Sequence, residues 1–423
     1  MTRPRIARAA CAAGVVGVCA SLGSAIAVAT DYEFNPRVQL SAGYDNNVTL
    51  VTPSVDKISS ADGMVDARAD FLAQESNWQW RITPDVTGTL YPDHTEIDSN
   101  GEYLYLYGAR NGPRYLFELN GYAWSQSLLR NYLPTGALGT GLGVAEQGTT
   151  LSTLSDARQN LGYIDPRYAL QITQRERLEL EASYTDSTYS RQVAGGYTDY
   201  ENVSGSAGLV MQATPTGSVT VRARAQEFKP DSELTTDTYG AELEWDGKLS
   251  PNKLYYLRVG AERSNFSGSV PAEGGEPAVS NVPASTSVTG GAGAQWTWQV
   301  TELFIDAMRD VEPTGLGYAV SRSQLRLRLE RRFTPRFAGF VGARTIYDDP
   351  VNAAALPNVA HAQHYNFGTT GFEWRVTRQF AMTGAYEFTN IHNVTTAESN
   401  AVRLSLVYEP HRPANGPAIT VGY

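Results

Sequence analysis

Three things are scarce in this sequence, and each scarcity removes a class of protein. Cysteine occurs only as Cys11 and Cys19, both within the first thirty residues, so everything after them lacks a thiol. Histidine numbers five (His94, His361, His364, His392 and His411), and all five fall in segments that read as loops or tail. Nucleophilic catalysis needs a nucleophile held against a base. With no downstream cysteine and no histidine on a predicted strand, a triad built inside the fold is not expected, so we read the chain as no enzyme and as holding no cofactor. A site at an extracellular rim is the one place where catalysis stays open. Long apolar runs are the third absence: beyond the first thirty residues none approaches 18 in a row, which leaves no membrane helix there.

Positive charge is also in deficit. Lys and Arg number 34 against 44 Asp and Glu, a net charge of −10. The first thirty residues hold three of the basic residues and none of the acidic ones, so the remainder has 31 against 44, or −13. Nucleic acid wants a basic surface, and no nucleic-acid partner is expected.

What is present begins with a leader. Arg3, Arg5 and Arg8 form a basic region, Ala9 to Leu22 an apolar core, and residues 24–29 a run of mostly small side chains that permits cleavage after Ala27 or Ala29. This is the layout of a secretory signal, expected over residues 1–29. Its core is too short to span a membrane. Cys19 is a poor lipoprotein site because bulky Val18 precedes it where a small residue is wanted.

From Pro36 onward, segments of about ten residues alternate apolar and polar with period two. Leu178, Leu180, Ala182 and Tyr184 alternate with Arg177, Glu179, Glu181 and Ser183; Val219, Val221, Ala223 and Ala225 with Arg222, Arg224 and Gln226. Leu325, Leu327 and Leu329 alternate with Arg326, Arg328 and Glu330, and Val402, Leu404, Leu406 and Tyr408 with Arg403 and Glu409. A soluble β-sandwich would alternate too, so periodicity does not separate the two folds. The connections do. Short turns stand near residues 75–77, 111–113, 173–175, 214–217, 247–252, 300–301, 333–335 and 377–378. Longer polar stretches lie between them, near 46–62, 91–101, 128–158, 190–198, 229–237, 267–286, 312–317, 348–362 and 392–399. Eight short turns and nine long loops join eighteen strands, with both chain ends on the short-turn side. The expected fold is therefore all-β: a transmembrane antiparallel up-and-down barrel over residues 30–410, of about eighteen strands with sixteen as the alternative count.

Aromatic placement supports two interfacial belts. Trp78, Trp80, Trp245, Trp296, Trp298 and Trp374 cluster at the short turns, while Trp124 stands near a long loop. Tyr44, Tyr91, Tyr163, Tyr184, Tyr318 and Tyr386 supply amphipathic rings at the opposite ends.

The first predicted strand and loop, residues 36–48, contain Gly43-Tyr44-Asp45-Asn46-Asn47-Val48. This stretch resembles the opening of the β-barrel porin-2 family, whose members often begin with Gly-Tyr-Asp-x-Asn-Val after the signal. The resemblance implies an outer-membrane barrel associated with exopolysaccharide export. It also implies a polysaccharide substrate, a periplasmic polysaccharide-export protein docking near the short turns, and no catalytic residues. Such barrels usually end on an aromatic residue read by the barrel-assembly machinery. Here Glu409-Pro410 interrupts the last strand and a segment over 411–423 follows, ending in Tyr423; it either closes the barrel seam or extends from it.

Burying a basic side chain in lipid costs about 2–4 kcal/mol near midplane, so the charged faces are expected to line the lumen. The candidates are Arg222, Arg224, Glu242, Glu244, Arg258, Glu262, Arg326, Arg328, Arg344, Arg375 and Arg403. Their plainest role is cross-strand pairing that solvates the wall; the sharper one is a path with arginines for an acidic glycan's carboxylates and tyrosines for sugar rings. The stretch from Leu128 to Arg158, which contains Gly136, Gly139, Gly141 and Gly143, suits either a surface loop or an inward constriction. His361 and His364 lack a third ligand at a supporting spacing, so no metal site is expected. The sequons at Asn47, Asn202 and Asn393 carry no expectation of glycosylation in a bacterial envelope protein. The function expected is an outer-membrane conduit for exopolysaccharide, in contact with membrane lipid and lipopolysaccharide. A general diffusion porin is the alternative, and a surface scaffold the third class. The chain is too short for a barrel of twenty-two strands with a plug.

Overall fold

The computed structural model describes residues 31–50, 57–128, 158–190, 197–231, 235–268, 282–351, 362–392 and 396–410. The expected signal over 1–29 and the segment over 411–423 lie outside them, as does nearly all of the glycine-rich stretch after Leu128. Eighteen strands follow one another: β1 (Asp31–Asp45), β2 (Ser60–Gln74), β3 (Trp78–Leu90), β4 (Ser99–Asn111), β5 (Tyr115–Ser127), β6 (Arg158–Gln171), β7 (Glu176–Tyr189), β8 (Tyr200–Thr214) and β9 (Gly217–Pro230). The second half comprises β10 (Thr235–Ser250), β11 (Lys253–Ser267), β12 (Ser285–Thr297), β13 (Thr301–Pro313), β14 (Ala319–Thr334), β15 (Phe337–Pro350), β16 (Gln363–Arg375), β17 (Phe380–His392) and β18 (Thr396–Tyr408). Each strand pairs antiparallel with its neighbours in sequence, and β1 pairs with β18, so the sheet closes on itself. Closure removes the free edges that would otherwise carry unpaired backbone groups.

Period-two alternation becomes an inside and an outside. Leu325, Leu327 and Leu329 of β14, Val221 of β9, Leu243 of β10, Leu257 and Val259 of β11 and Val402, Leu404 and Leu406 of β18 all stand exposed on the outer surface. The intervening charged residues point inward, where Glu242, Glu262, Asp306, Asp310, Arg322 and Arg326 are buried. This is the reverse of a soluble sandwich, whose apolar residues fill the centre. Among the described residues no helix is long and apolar enough to cross a membrane; Thr95–Ile97 in the β3–β4 loop forms a single 3₁₀ turn.

All eight short turns fall where the sequence places them. At three of them the register shifts by one residue, near Gln212, Lys248 and Arg332, which tightens the turn as a bulge does. Two prolines interrupt the ladder: β2–β3 pairing lapses between Arg68↔Asp85 and Phe71↔Ile82 beside Pro84, and β6–β7 pairing between Ile164↔Tyr184 and Arg167↔Glu181 beside Pro166. Proline has no N–H to give the ladder.

Several expectations need correction. The stretches at 229–237 and 392–399 are mostly strand, leaving connections of only 231–234 and 393–395, because polar residues extend strands readily where a barrel rises past the lipid. His364 lies in β16 and His392 ends β17, so two histidines do stand on strands. Tyr44, Tyr184 and Tyr386 face outward and exposed, but Tyr91 and Tyr318 are buried at the long-loop end, and Tyr163 stacks inside against Tyr122. Trp124 is likewise buried on the inner wall, against Tyr122.

Candidate functional site

The inner wall is the site. Register alone places all eleven sequence candidates on the inward face, and their partners follow from the rows in which they sit. Arg222 donates to Glu242 at 2.7 Å across β9–β10 and reaches Glu179 of β7 at 3.4 Å. Arg224 approaches Glu262 at 3.2 Å and Asp310 at 3.5 Å, and Arg258 meets Asp310 at 2.5 Å with Glu242 at 3.7 Å. Glu244 stands opposite Arg258 in the β10–β11 register. Arg326 pairs with Asp306, Arg328 with Glu330 at 3.2 Å, Arg344 donates to Gln324 at 2.9 Å, Arg375 pairs with Glu373 at 3.0 Å, and Arg403 with Asp62 at 3.7 Å.

Arg258 reaches Asp310 across β12, and the reason lies in that strand's own residues. Its inward positions Gly291 and Gly293 stand in register with Arg258 and Tyr256 on one side and with Met308 and Asp306 on the other. Having no side chains, they form a trough. The Tyr256 hydroxyl crosses it to donate to Asp306, and the Arg258 guanidinium crosses it to Asp310. A Cβ on Gly291 would come within 3.0 Å of the Tyr256 hydroxyl. Asp306 then accepts from both Tyr256 and Arg326, and Asp310 from both Arg258 and Arg224. Each buried carboxylate thus has two donors, which is what burial of charge demands.

Sequence reasoning named Glu242, Glu244 and Glu262 but missed the acids that β13 adds to this network. Asp306, Asp310 and Glu312 recur at every second or fourth residue of β13, and Arg322 joins Glu312 at 2.9 Å and Asp348 at 2.7 Å. That spacing was legible; the partners were not.

A second wall is aromatic. Tyr103, Tyr105 and Tyr107 of β4 face inward while Leu104 and Leu106 face out, a period-two pattern also present in the sequence. Tyr122 stacks on Tyr163 with ring centroids 4.6 Å apart and on Trp124 at 4.9 Å, nearly parallel. Tyr103 and Tyr105 lie parallel at 6.5 Å. Between this wall and the charged one is a cavity of about 640 Å³, lined by Tyr105, Tyr107, Tyr122 and Tyr163 on one side and by Arg222, Arg224, Glu242, Glu244, Arg258 and Asp310 on the other.

Chemically, the arrangement can solvate, orient and pass a polar solute. Among the described residues no group of three His, Cys, Asp or Glu side chains is placed to hold a metal. His361 lies outside the described residues, and His364 faces away from the lumen, beside Thr345 at 3.0 Å and the Tyr347 ring.

At the long-loop end the mouth is narrowed. Leu128, Tyr189, Tyr197, Tyr200 and Phe228 form a buried cluster, and the Thr198 N–H donates to Gly315 O at 2.7 Å, joining the β7–β8 and β13–β14 connections. These connections belong to strands five apart around the sheet. The stretch from Leu128 to Arg158, which the sequence leaves open as a surface loop or an inward constriction, lies outside the described residues except for its two ends.

No family model and no curated protein matches the chain. Among solved structures it is similar to OccK7 (OpdD) of Pseudomonas aeruginosa, at 8% identity over 90% of this chain and 98% of that one, with a TM-score of 0.45. It is similar also to OccAB2 of Acinetobacter baumannii, at 11% identity over 89% and 98% with a TM-score of 0.43. A third is the ferric yersiniabactin uptake receptor FyuA from Yersinia pestis, at 10% identity over 88% and 80% with a TM-score of 0.44. With TM-scores below 0.5, the architecture rests on the strand pairing itself.

Proposed function

We propose that the barrel is a passive outer-membrane channel for small hydrophilic solutes, the reading that stood second on sequence alone. The observation that supports it is the cavity of about 640 Å³ framed by the aromatic and charged walls of the lumen. A space of that size suits a small molecule. Its lining is balanced, with Arg68, Arg81, Arg167, Arg222, Arg224 and Arg258 against Asp165, Glu181, Glu242, Glu244, Asp310 and Glu312. Six charges of each sign, largely paired, wet the wall without a strong field, so the channel should discriminate weakly between anions and cations. Its outer face would meet lipid and lipopolysaccharide after insertion by the barrel-assembly machinery.

The test is conductance of the refolded protein in planar bilayers, with a salt gradient for selectivity and swelling of loaded vesicles in sugars of increasing size. We expect ohmic steps, a reversal potential near zero, and passage of monosaccharides but not of long glucans. Absence of conductance, or entry of glucans as fast as of glucose, overturns it.

The second reading is an exopolysaccharide conduit served by a periplasmic polysaccharide-export protein. The aromatic wall favours it, since the stacked faces of Tyr122, Tyr163 and Trp124 are a surface on which sugar rings lie well. A deletion strain separates the two: loss of exopolysaccharide with normal solute uptake supports the conduit, and the opposite result supports the diffusion channel.

A further inference from the structure

The stretch Gly43-Tyr44-Asp45-Asn46-Asn47-Val48 stands at the seam where β1 meets β18, and there the chain turns into the lumen. Ladder pairing at the seam ends at Asp45↔Ala401. Beyond it, one backbone bond and several side-chain bonds continue the pairing. The Asn46 N–H donates to Asn400 O at 3.1 Å, and the Asn400 N–H donates to the Asn46 side-chain oxygen at 2.8 Å. The Asn47 amide donates to Glu398 O at 2.8 Å. Asp45 accepts from the Asn47 N–H at 2.8 Å and from the Ser399 hydroxyl at 2.6 Å. Three consecutive polar residues thus fasten the chain to β18 from the end of one strand.

What they fasten is an apolar finger. Val48 and Leu50 are fully buried. Leu50 sits on Ile346, Tyr365, Ile391 and Ala397, which form one register row across β15, β16, β17 and β18 on the inner wall, with Phe367 two residues along β16. Val48 packs on Tyr91 and Ile97 of the β3–β4 connection. Two features mark the finger as a cover rather than a filling. The row beneath Leu50 is an apolar patch set into the inner wall, and it meets solvent if the finger lifts. Leu50 itself is held at φ 49°, a left-handed conformation that a bulky side chain rarely occupies; the strain favours release, and the apolar seat and the seam bonds oppose it.

We propose that residues 46–50 form a hinged flap over part of the long-loop mouth, latched at the seam by Asp45, Asn46 and Asn47 and seated by Leu50. The proposal rests on the channel reading for its consequence, which is that the flap sets the open area of the pore. Lifting the flap widens the mouth; seating it narrows it.

Two measurements on the full-length, refolded protein test this, using material shown to be folded by its heat-modifiable migration on gels. The chain has no cysteine after Cys19, so introduced thiols after signal removal are unique. In the first, a Leu50→Cys variant is treated with a bulky maleimide. Its labelling should be at least tenfold slower than that of a variant carrying Asp93→Cys, an exposed loop position, and should approach it when Asp45→Ala and Asn47→Ala are added. Equal rates for Leu50→Cys with and without the latch overturn the flap. In the second, a Leu50→Cys/Ile391→Cys pair is oxidised and then reduced in the bilayer. Oxidation should lower single-channel conductance and abolish its fluctuations, reduction of the same molecules should restore both, and the latch variant should conduct more than the parent. Conductance that is unchanged across all three overturns the gating role. If no form conducts at all while the labelling contrast holds, the channel reading falls and the latched flap is upheld.

Discussion

Replacing Leu327 with arginine tests the orientation on which the functional reading depends. Leu327 is the ninth of the sixteen residues of β14, outward-facing and 36% exposed, between Ile305 of β13 and Ala343 of β15. A strand of this length tilted by about 40° rises roughly 40 Å along the barrel axis, and the lipid-facing band is about 25 Å tall. Leu327 therefore sits close to the middle of the band. An arginine there should destabilise the folded barrel by about 2–4 kcal/mol, a shift of roughly 30- to 700-fold in the folding equilibrium. The same substitution at Phe333, outward at the short-turn end, should cost no more than about 1 kcal/mol, because the penalty fades near the interface. The native sequence already carries Arg331 on that outer face, with its guanidinium over the Phe333 ring at 5.8 Å. The assay is urea unfolding from lipid vesicles followed by tryptophan fluorescence, for the parent, Leu327→Arg and Phe333→Arg. A cost below about 0.5 kcal/mol at Leu327, or equal costs at the two depths, would refute the lipid-facing assignment.

Other outcomes follow from the lumen network and one loop. Asp310→Asn leaves Arg258 and Arg224 short of an anionic partner, so the channel should become anion-selective, read as a shifted reversal potential in a salt gradient; an unchanged potential would mean that the pair does not face the conducting path. Breaking a buried ion pair costs about 3–5 kcal/mol, and with lumen water nearby roughly half of that is expected in urea unfolding. Gly291→Val fills the trough that Tyr256 crosses, displacing its bond to Asp306 at a cost of about 1–3 kcal/mol; a neutral substitution would show that the crossing does not need the glycine. In the β3–β4 loop, the Glu96 carboxyl lies below the ordinary glutamate range, held there first by its own backbone N–H and then by His94. Because folding lowers this value, what the contact contributes is present at neutral pH and is lost as pH falls through the lowered value. A carbon-detected titration of Glu96 giving an ordinary or raised midpoint would contradict the contact.

Much of the fold was legible because a barrel writes its environment into the chain at every second residue. Leu325-Arg326-Leu327-Arg328-Leu329 states two solvents in five residues, and the turns at 75–77 and 214–217 interrupt that rhythm with residues that favour reversal. The aromatic belts were only half legible. Tyr44 and Tyr163 both stand near strand ends beside long loops, yet one faces lipid and the other the lumen, and only parity within the register separates them. The long-loop end was least legible, because polar residues at 229–237 and 392–399 serve equally well as loop or as strand beyond the lipid.

The sequence by itself determined the barrel: an antiparallel fold of about eighteen strands, both chain ends on the short-turn side, and the division into an apolar outer and a charged inner face. Each of those depends on local alternation and turn chemistry. Only the tertiary structure decided which charges meet, that Tyr256 and Arg258 cross a glycine trough to reach β13, and that Asp45, Asn46 and Asn47 turn Leu50 inward onto β15–β18. Those contacts join residues up to about 350 positions apart, and no local pattern records which distant strand will lie across the lumen.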